Sequence, residues 1–254
     1  MKIFLGMYTN VQKLADLHIH TNKSDGLMTP KQVVDLSLEN HRLHTIAITD
    51  HDTIKPAIEA RDYNLKMASN LNVVVGSEIT TNEGHILGLY LEQDVPKNNS
   101  LKDTILAIHK QAGLAIITHP FKSEQSLTEA SIVNIINNSN PLLYFDGFEI
   151  FNIYTSNNLK DPIIKKTTVF YLENKSKLGA VIGSSGAHYW TLGRGLTGFK
   201  GDLKTAIKYS QTTATFLDQE ETTKLVDLSK QLFSKEMEKV KYLYENLQSI
   251  ETPI

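Results

Sequence analysis

The chain has 254 residues, 41% of them hydrophobic, with 26 Lys and Arg against 28 Asp and Glu. That length carries a sizeable core in one domain, and the near balance of charge excludes an overall field favouring nucleic acid or an anionic membrane surface. Cysteine is absent, which excludes disulfides, thiolate metal sites and cysteine nucleophiles and confines any metal site to His, Asp, Glu, carbonyl oxygen and water.

Residues 1 to 14 contain Lys2 and a few apolar residues interrupted by Tyr8, Thr9 and Asn10, without the continuous apolar stretch of a secretion signal. No run reaches the roughly 18 apolar residues of a membrane span. The expectation is a cytoplasmic protein forming one domain over residues 1–254, with its motifs in 14–215. Leu14 to Ile19 reads as a buried strand. A helix opens at Thr29-Pro30-Lys31-Gln32, where Thr fits the N-cap, Pro the first helical position and Gln a capping box. Thr45 to Thr49 is the next strand, followed by a helix over about 56 to 69. Asn72 to Thr80 and His85 to Leu91 read as a hairpin around Thr81-Asn82-Glu83-Gly84. A helix from Leu101 to Gln111 stops at Gly113, and Leu114 to Thr118 is a strand. Leu127 to Asn137 is helical, Phe145 to Phe151 and Ala180 to Ser184 are strands, and a helix over about 159 to 178 lies between them. The chain closes on an amphipathic helix, about 222 to 248, with Leu225, Leu228, Leu232, Val240 and Leu243 on or near one face. Such alternation predicts mostly parallel strands covered by helices, with active residues at the carboxyl ends of the strands.

Nine histidines are present. His18, His20, His51, His85, His119 and His188 fall at predicted strand ends, whereas His41, His44 and His109 fall in predicted helices and read as solvated or packed side chains. His18 and His20, at i and i+2 of one strand, present two imidazoles on the same face. Carboxylates accompany the first group: Asp25 in the loop after that strand, Asp50 before His51, Glu78 after Val73-Val74-Val75-Gly76-Ser77, and Glu149 within Phe148-Glu149-Ile150. A carboxylate in an apolar strand is costly unless it is paired or bound to a cation, so Glu78 reads as a ligand. Several His and carboxylate groups could surround two or three divalent ions, whose charge would hold a phosphate and make hydroxide available near neutral pH.

The ordered segments Asp16-Leu17-His18-Ile19-His20-Thr21, Ser24-Asp25-Gly26 with Thr29-Pro30, Ile48-Thr49-Asp50-His51-Asp52, Gly76-Ser77-Glu78, His85-Ile86-Leu87-Gly88, Thr118-His119-Pro120-Phe121 and Gly183-Ser184-Ser185-Gly186-Ala187-His188 resemble the PHP (polymerase and histidinol phosphatase) superfamily. Within it they are most similar to stand-alone phosphoesterases of the TrpH type. The resemblance implies an α/β fold, a distorted (βα)7 barrel, holding two or three divalent ions of manganese, zinc, iron or magnesium. It implies His18, His20, Asp25, His51, Glu78, His85, His119 and His188 as ligands. Asp16, Asp50 and Asn152 are expected to orient imidazoles, and Glu149 fits either that role or a substrate contact. One departure stands out: the family's last motif commonly carries an Asp ligand where this chain has Gly186, with Ser184 and Ser185 as the only neutral replacements nearby.

The function expected from these residues is metal-dependent hydrolysis of a phosphoester by metal-bound hydroxide, on a nucleotide or other small-metabolite phosphomonoester, with short oligonucleotides as a variant. Arg194 in Gly193-Arg194-Gly195 is assigned to phosphate because guanidinium matches two phosphate oxygens, with Lys122 as a second basic group. Trp190 beside Tyr189 could stack on a base. Two competing readings are a weakened barrel acting as a binding module, because of Gly186, and amidohydrolase-like C–N hydrolysis. A lysine bridge and an isolated late Asp would suit the latter better than the early Asp25 and Asp50-His51.

Overall fold

The computed structural model describes residues 13–153, 161–186 and 191–216. Its elements run β1 (Lys13–Ile19), α1 (Pro30–Glu39), β2 (Leu43–Ile48), α2 (Lys55–Lys66), β3 (Asn72–Thr81), β4 (Gly84–Leu89), α3 (Leu101–Lys110) and β5 (Leu114–Ile117). They continue with α4 (Glu129–Ile136), β6 (Gly147–Asn152), α5 (Pro162–Asn174), β7 (Ala180–Ser184), β8 (Gly195–Phe199), α6 (Leu203–Lys208) and β9 (Thr213–Phe216). His188, Tyr189, Trp190 and the expected helix over 222 to 248 lie outside the described residues.

Local chemistry sets the helix starts. Thr29 caps α1 by accepting from Gln32 N at 3.2 Å while Gln32 Oε1 accepts from Thr29 N at 2.8 Å, the reciprocal capping box that the sequence predicts. Ser100, Thr128 and Asp161 cap α3, α4 and α5 in the same way with one side-chain acceptor each.

The nine strands form one sheet in the order β7-β6-β5-β4-β3-β2-β1-β8-β9. β1, β2 and β3 are parallel, as are β5, β6 and β7. The β3–β4, β4–β5, β1–β8 and β8–β9 pairings are antiparallel. The strands are mostly parallel, with the β3–β4 hairpin as the expected exception; β8 with β9, which the sequence pattern does not predict, adds an antiparallel flank. The ends of the sheet approach each other. Thr197 Oγ1 on β8 donates to Gly183 O at 2.9 Å and accepts from Gly183 N at 3.2 Å on β7, and Thr212 Oγ1 donates to Val181 O at 2.6 Å. A Cβ on Gly195 would stand 1.7 Å from Ser184 O, so only glycine permits that approach. The result is a nearly closed α/β barrel.

Two apolar layers follow from strand alternation. One face packs Val33, Ile46, Ile48, Ile79, Ile105 and Phe148 with α1 to α5. The other gathers Leu17, Ala47, Val74, Leu89, Ile116 and Ile182 with Leu203, Ala206 and Ile207 of α6. Two smaller expectations are corrected here. His41 and His44, both expected in a helix, lie in the turn after α1 and on β2; neither contacts the histidine cluster described below.

Candidate metal centre

Glu78 sits in the middle of β3, not at its end, and its side chain is 2% exposed. Five imidazoles face it. His18 Nε2 and His20 Nε2 lie 3.2 and 3.0 Å from Oε2, with His51 Nδ1 at 3.7 Å. His85 Nδ1 and His119 Nε2 lie 3.2 and 2.8 Å from Oε1. These histidines come from the ends of β1, β2 and β5 and the start of the antiparallel β4, which places them all at one mouth of the barrel.

Local backbone features aim them. The β1–β2 register slips between Asp16 and Ile19, a bulge that re-aims side chains as bulges near active sites do. Beyond β2, Glu78 N donates to Thr49 O and Asp50 O, and an isolated bridge joins His51 to Glu78, tying the His51 segment to β3.

Glu149, fully buried on β6, makes contacts that orient protein groups. Its Oε1 lies 3.1 Å from His18 Nδ1 and accepts from Ser184 Oγ, while Oε2 accepts from Thr118 Oγ1 at 2.9 Å and His119 N at 2.6 Å. Asn152 Nδ2 is 3.3 Å from the same His18 nitrogen. A carboxylate on the outer nitrogen fixes ring orientation and leaves Nε2 for a metal. Asp25 holds the outer side of the cluster, with Oδ1 2.8 Å from His20 Nδ1 and Oδ2 3.5 Å from His51 Nε2, the nitrogens turned away from Glu78.

Two expected orienting residues act at one remove. Asp50 has no imidazole partner among the described residues; it accepts from Thr21 N at 2.9 Å, Thr21 Oγ1 at 2.8 Å and Ser24 Oγ at 2.5 Å, and Ser24 Oγ in turn lies 3.2 Å from His20 Nδ1. Asp16 likewise has no imidazole partner among the described residues. Its two oxygens accept from Ser185 N at 3.1 Å and Gly193 N at 2.8 Å, so it joins both sides of the β7–β8 connection.

Electrostatics fit a cation site. Burial alone would raise the Glu78 carboxyl, but His18 and His119 beside it hold it well below the usual range. Burial likewise opposes charge on His18, yet Glu78 and Glu149 raise it well above the ordinary imidazole value. Burial also disfavours a charged His20, but Asp25 and Glu78 push it up to about 9. His18 Nε2 and His20 Nε2 stand 3.0 Å apart, where only one proton can bridge them. In the metal-free protein, protons supply the positive charge that divalent ions would supply; neutral imidazole and carboxylate are suitable donors for such ions. Two sets of donor atoms lie close enough to hold one ion each, His18 with Glu78 and His119, and His20 with His51 and Glu78.

Some expected residues stand apart from those two sets. His85 contacts Glu78 but belongs to neither, and Asp25 reaches only the outer nitrogens. Ser184 Oγ donates to Glu149 and Ser185 Oγ to Gly186 O at 3.3 Å; both hydroxyls are neutral, so neither supplies the negative charge of the carboxylate expected at Gly186. Arg194 Nε is buried without a hydrogen-bond partner among the described residues, and burial pushes its guanidinium pKa down. Lys122 lines a cleft of about 220 Å³ with His119, Glu149, Asn152, Ile163 and Ile164, its Nζ 3.8 Å from Asp161. Sequence alone gives Thr118 and Ser184 no orienting role and does not single out Ser126, yet their hydroxyls hold Glu149 and His119; a lone hydroxyl carries no periodic or spacing signal.

Fold and donor set together define the class of α/β barrels built around a His-and-carboxylate metal centre. The family described as the PHP domain matches residues 16–236, and the chain belongs to it. The chain is 33% identical over 173 residues to the uncharacterized protein MJ1587 of Methanocaldococcus jannaschii, covering 64% of this chain and 95% of that one. It is 42% identical over 88 residues to the 5'-3' exoribonuclease Rnm of Salmonella typhimurium, which is 33% of this chain and 30% of that protein. Among solved structures, a two-domain protein from Bacteroides vulgatus containing a predicted PHP-like metal-dependent phosphoesterase shares the fold with a TM-score of 0.61 at 19% identity, covering 84% of this chain and 68% of that one. An amidohydrolase from Chromobacterium violaceum shares it with a TM-score of 0.55 at 15% identity, covering 82% and 99%.

Proposed function

We propose that the chain is a metal-dependent phosphoesterase acting on a phosphomonoester of a nucleotide or other small metabolite. The observation that carries this reading is the single buried Glu78 with five imidazoles on its two oxygens, arranged as two donor sets sharing one carboxylate. Manganese, zinc, iron or magnesium held there would supply Lewis acidity and a water that deprotonates near neutral pH. His18, His20, His51, Glu78 and His119 would hold two ions, with His85, Asp25 and His188 as further candidates for a third. Glu149 and Asn152 fix the His18 ring, and Arg194 and Lys122 are the basic groups assigned to the substrate phosphate. The PHP family, a neighbour titled as a phosphoesterase and a partial relative named as an exoribonuclease support hydrolysis at phosphorus. Since the match to the exoribonuclease spans 30% of that protein, short oligonucleotides stand as the variant substrate. The early Asp25 and the Asp50-His51 pair suit the amidohydrolase reading less well.

The test is a panel of phosphomonoesters, cyclic phosphates and short oligonucleotides with added manganese, run beside His20→Ala. Turnover of at least one substrate that disappears in His20→Ala is the expected result; turnover that survives it overturns the reading. A second reading rests on Gly186, whose φ of +76° no side chain accompanies, and on the neutral hydroxyls of Ser184 and Ser185: the cluster lacks one anionic ligand, and the chain binds a phosphorylated ligand without efficient turnover. Metal stoichiometry of Gly186→Asp against the parent tests it. A gain in bound metal and rate supports the missing-ligand reading, and equal values in both proteins remove it.

A further inference from the structure

The loop between β5 and α4 converges on one hydroxyl that no motif contains. Ser126 is 3% exposed. Its Oγ donates to His119 O at 2.7 Å, so its lone pairs are left to accept. They face His119 Nδ1 at 3.2 Å, Ser123 N at 3.2 Å and Lys122 N at 3.3 Å. Because Ser126 Oγ spends its own proton on a carbonyl, it can meet His119 Nδ1 only as an acceptor, which requires the proton on Nδ1. That leaves Nε2, 2.8 Å from Glu78 Oε1, as the nitrogen presented to the cluster. The same loop holds His119 at φ +24° and Phe121 at φ +66°, left-handed conformations unusual for side-chain-bearing residues. The bonds to Ser126 from both sides of Phe121 keep that strained turn in place. Next to it, Gln125 O accepts from His85 N at 2.7 Å, so the turn also anchors the strand that brings the second imidazole to Oε1.

We infer that Ser126 is the positioning residue of the His18, Glu78 and His119 donor set, fixing the His119 proton on Nδ1 and the ring toward Glu78 through one shared hydroxyl. This rests on the reading that the cluster holds metal. Groups that orient a ligating imidazole are typically worth about 10- to 100-fold in metal affinity, and the effect here falls on one of the two donor sets.

The test compares the full chain with Ser126→Ala and the control Ser131→Ala, which removes a nearby hydroxyl bonded to Thr128 rather than to Ser126. Zinc dissociation constants are measured by chelator competition, and the His119 Nδ1 proton is followed by imidazole NMR in metal-stripped protein. The expected result is that Ser126→Ala weakens one zinc ion by at least about tenfold, leaves the other within twofold and loses the slowly exchanging Nδ1 proton signal. Ser131→Ala changes none of these. Unchanged constants, equal weakening of both ions, or an unchanged Nδ1 signal in Ser126→Ala overturns the assignment. If the parent binds no zinc, the metal reading fails, while the Nδ1 signal still decides the role of Ser126.

Discussion

At the scale of single residues, Glu78 is the one group whose loss should reach both donor sets. Glu78→Gln keeps the shape of the side chain but removes its charge and points an amide N–H₂ at nitrogens that need an acceptor or a metal. The expected outcome is loss of both ions, read by metal analysis, with any turnover falling by more than about 100-fold. Glu149→Gln should weaken chiefly the ion beside His18, because its carboxylate acts through that ring; equal metal loss in the two variants would show that Glu149 does more than orient it. Asp16 makes a different prediction. Burial raises its carboxyl to about 6, against the opposing hydrogen bonds from Ser185 and Gly193. The folded chain therefore holds this proton more tightly than the unfolded chain between about pH 4 and 6, and the stability it contributes at low pH is lost as pH rises through that window. Carboxyl NMR should place its midpoint near 6, and Asp16→Asn should remove that part of the pH slope in urea unfolding; a midpoint near 4 would contradict the burial of a carboxylate there.

The elements carry the barrel. Thr197 makes both of its hydroxyl bonds to Gly183, across the gap between the two ends of the sheet. Thr197→Val keeps volume but leaves a buried N–H and C=O unpaired, at a cost of about 1 to 3 kcal/mol, measured as a lower urea midpoint with an unchanged slope; no change would mean closure depends on the glycine contact alone. Much of this architecture was legible in the sequence where a physical rule is local: the Thr29 to Gln32 capping box, the hairpin turn, and the apolar runs that became β2, β5 and β7. The cluster was legible because strand ends collect histidines at one mouth. What could not be read is non-local. β8 and β9 have few apolar residues and are strands because β8 pairs with β1, β9 pairs with β8 and both close on β7. The orienting role that the resemblance implies for Asp16 could not be checked locally, because its partners Ser185 and Gly193 lie 169 and 177 residues away in sequence. Ser126 was invisible because one hydroxyl among many becomes special only when a folded loop delivers it.

For the whole molecule, the cluster links folding, protons and metal. In the metal-free chain His20 is raised to about 9 by Asp25 and Glu78 despite burial, and Glu78 and Glu149 raise His18 well above its ordinary value against the same burial. An unfolded histidine has an ordinary value near 6.5. From about pH 6.5 upward the folded chain therefore holds protons that the unfolded chain has released, so the stability these histidines contribute is present in full below that pH and declines as pH rises through about 9. Divalent ions reverse the trend: they replace the same protons, so binding releases protons and tightens with pH until the histidines are neutral. At a free ion concentration 100 times the dissociation constant, one site adds about 2.7 kcal/mol to stability. Thermal unfolding should show the chelator-treated chain losing Tm between pH 6.5 and 9 while the manganese-loaded chain holds it, so that the gap between the two widens with pH. A gap that stayed constant or narrowed would mean that His18 and His20 do not exchange protons for metal.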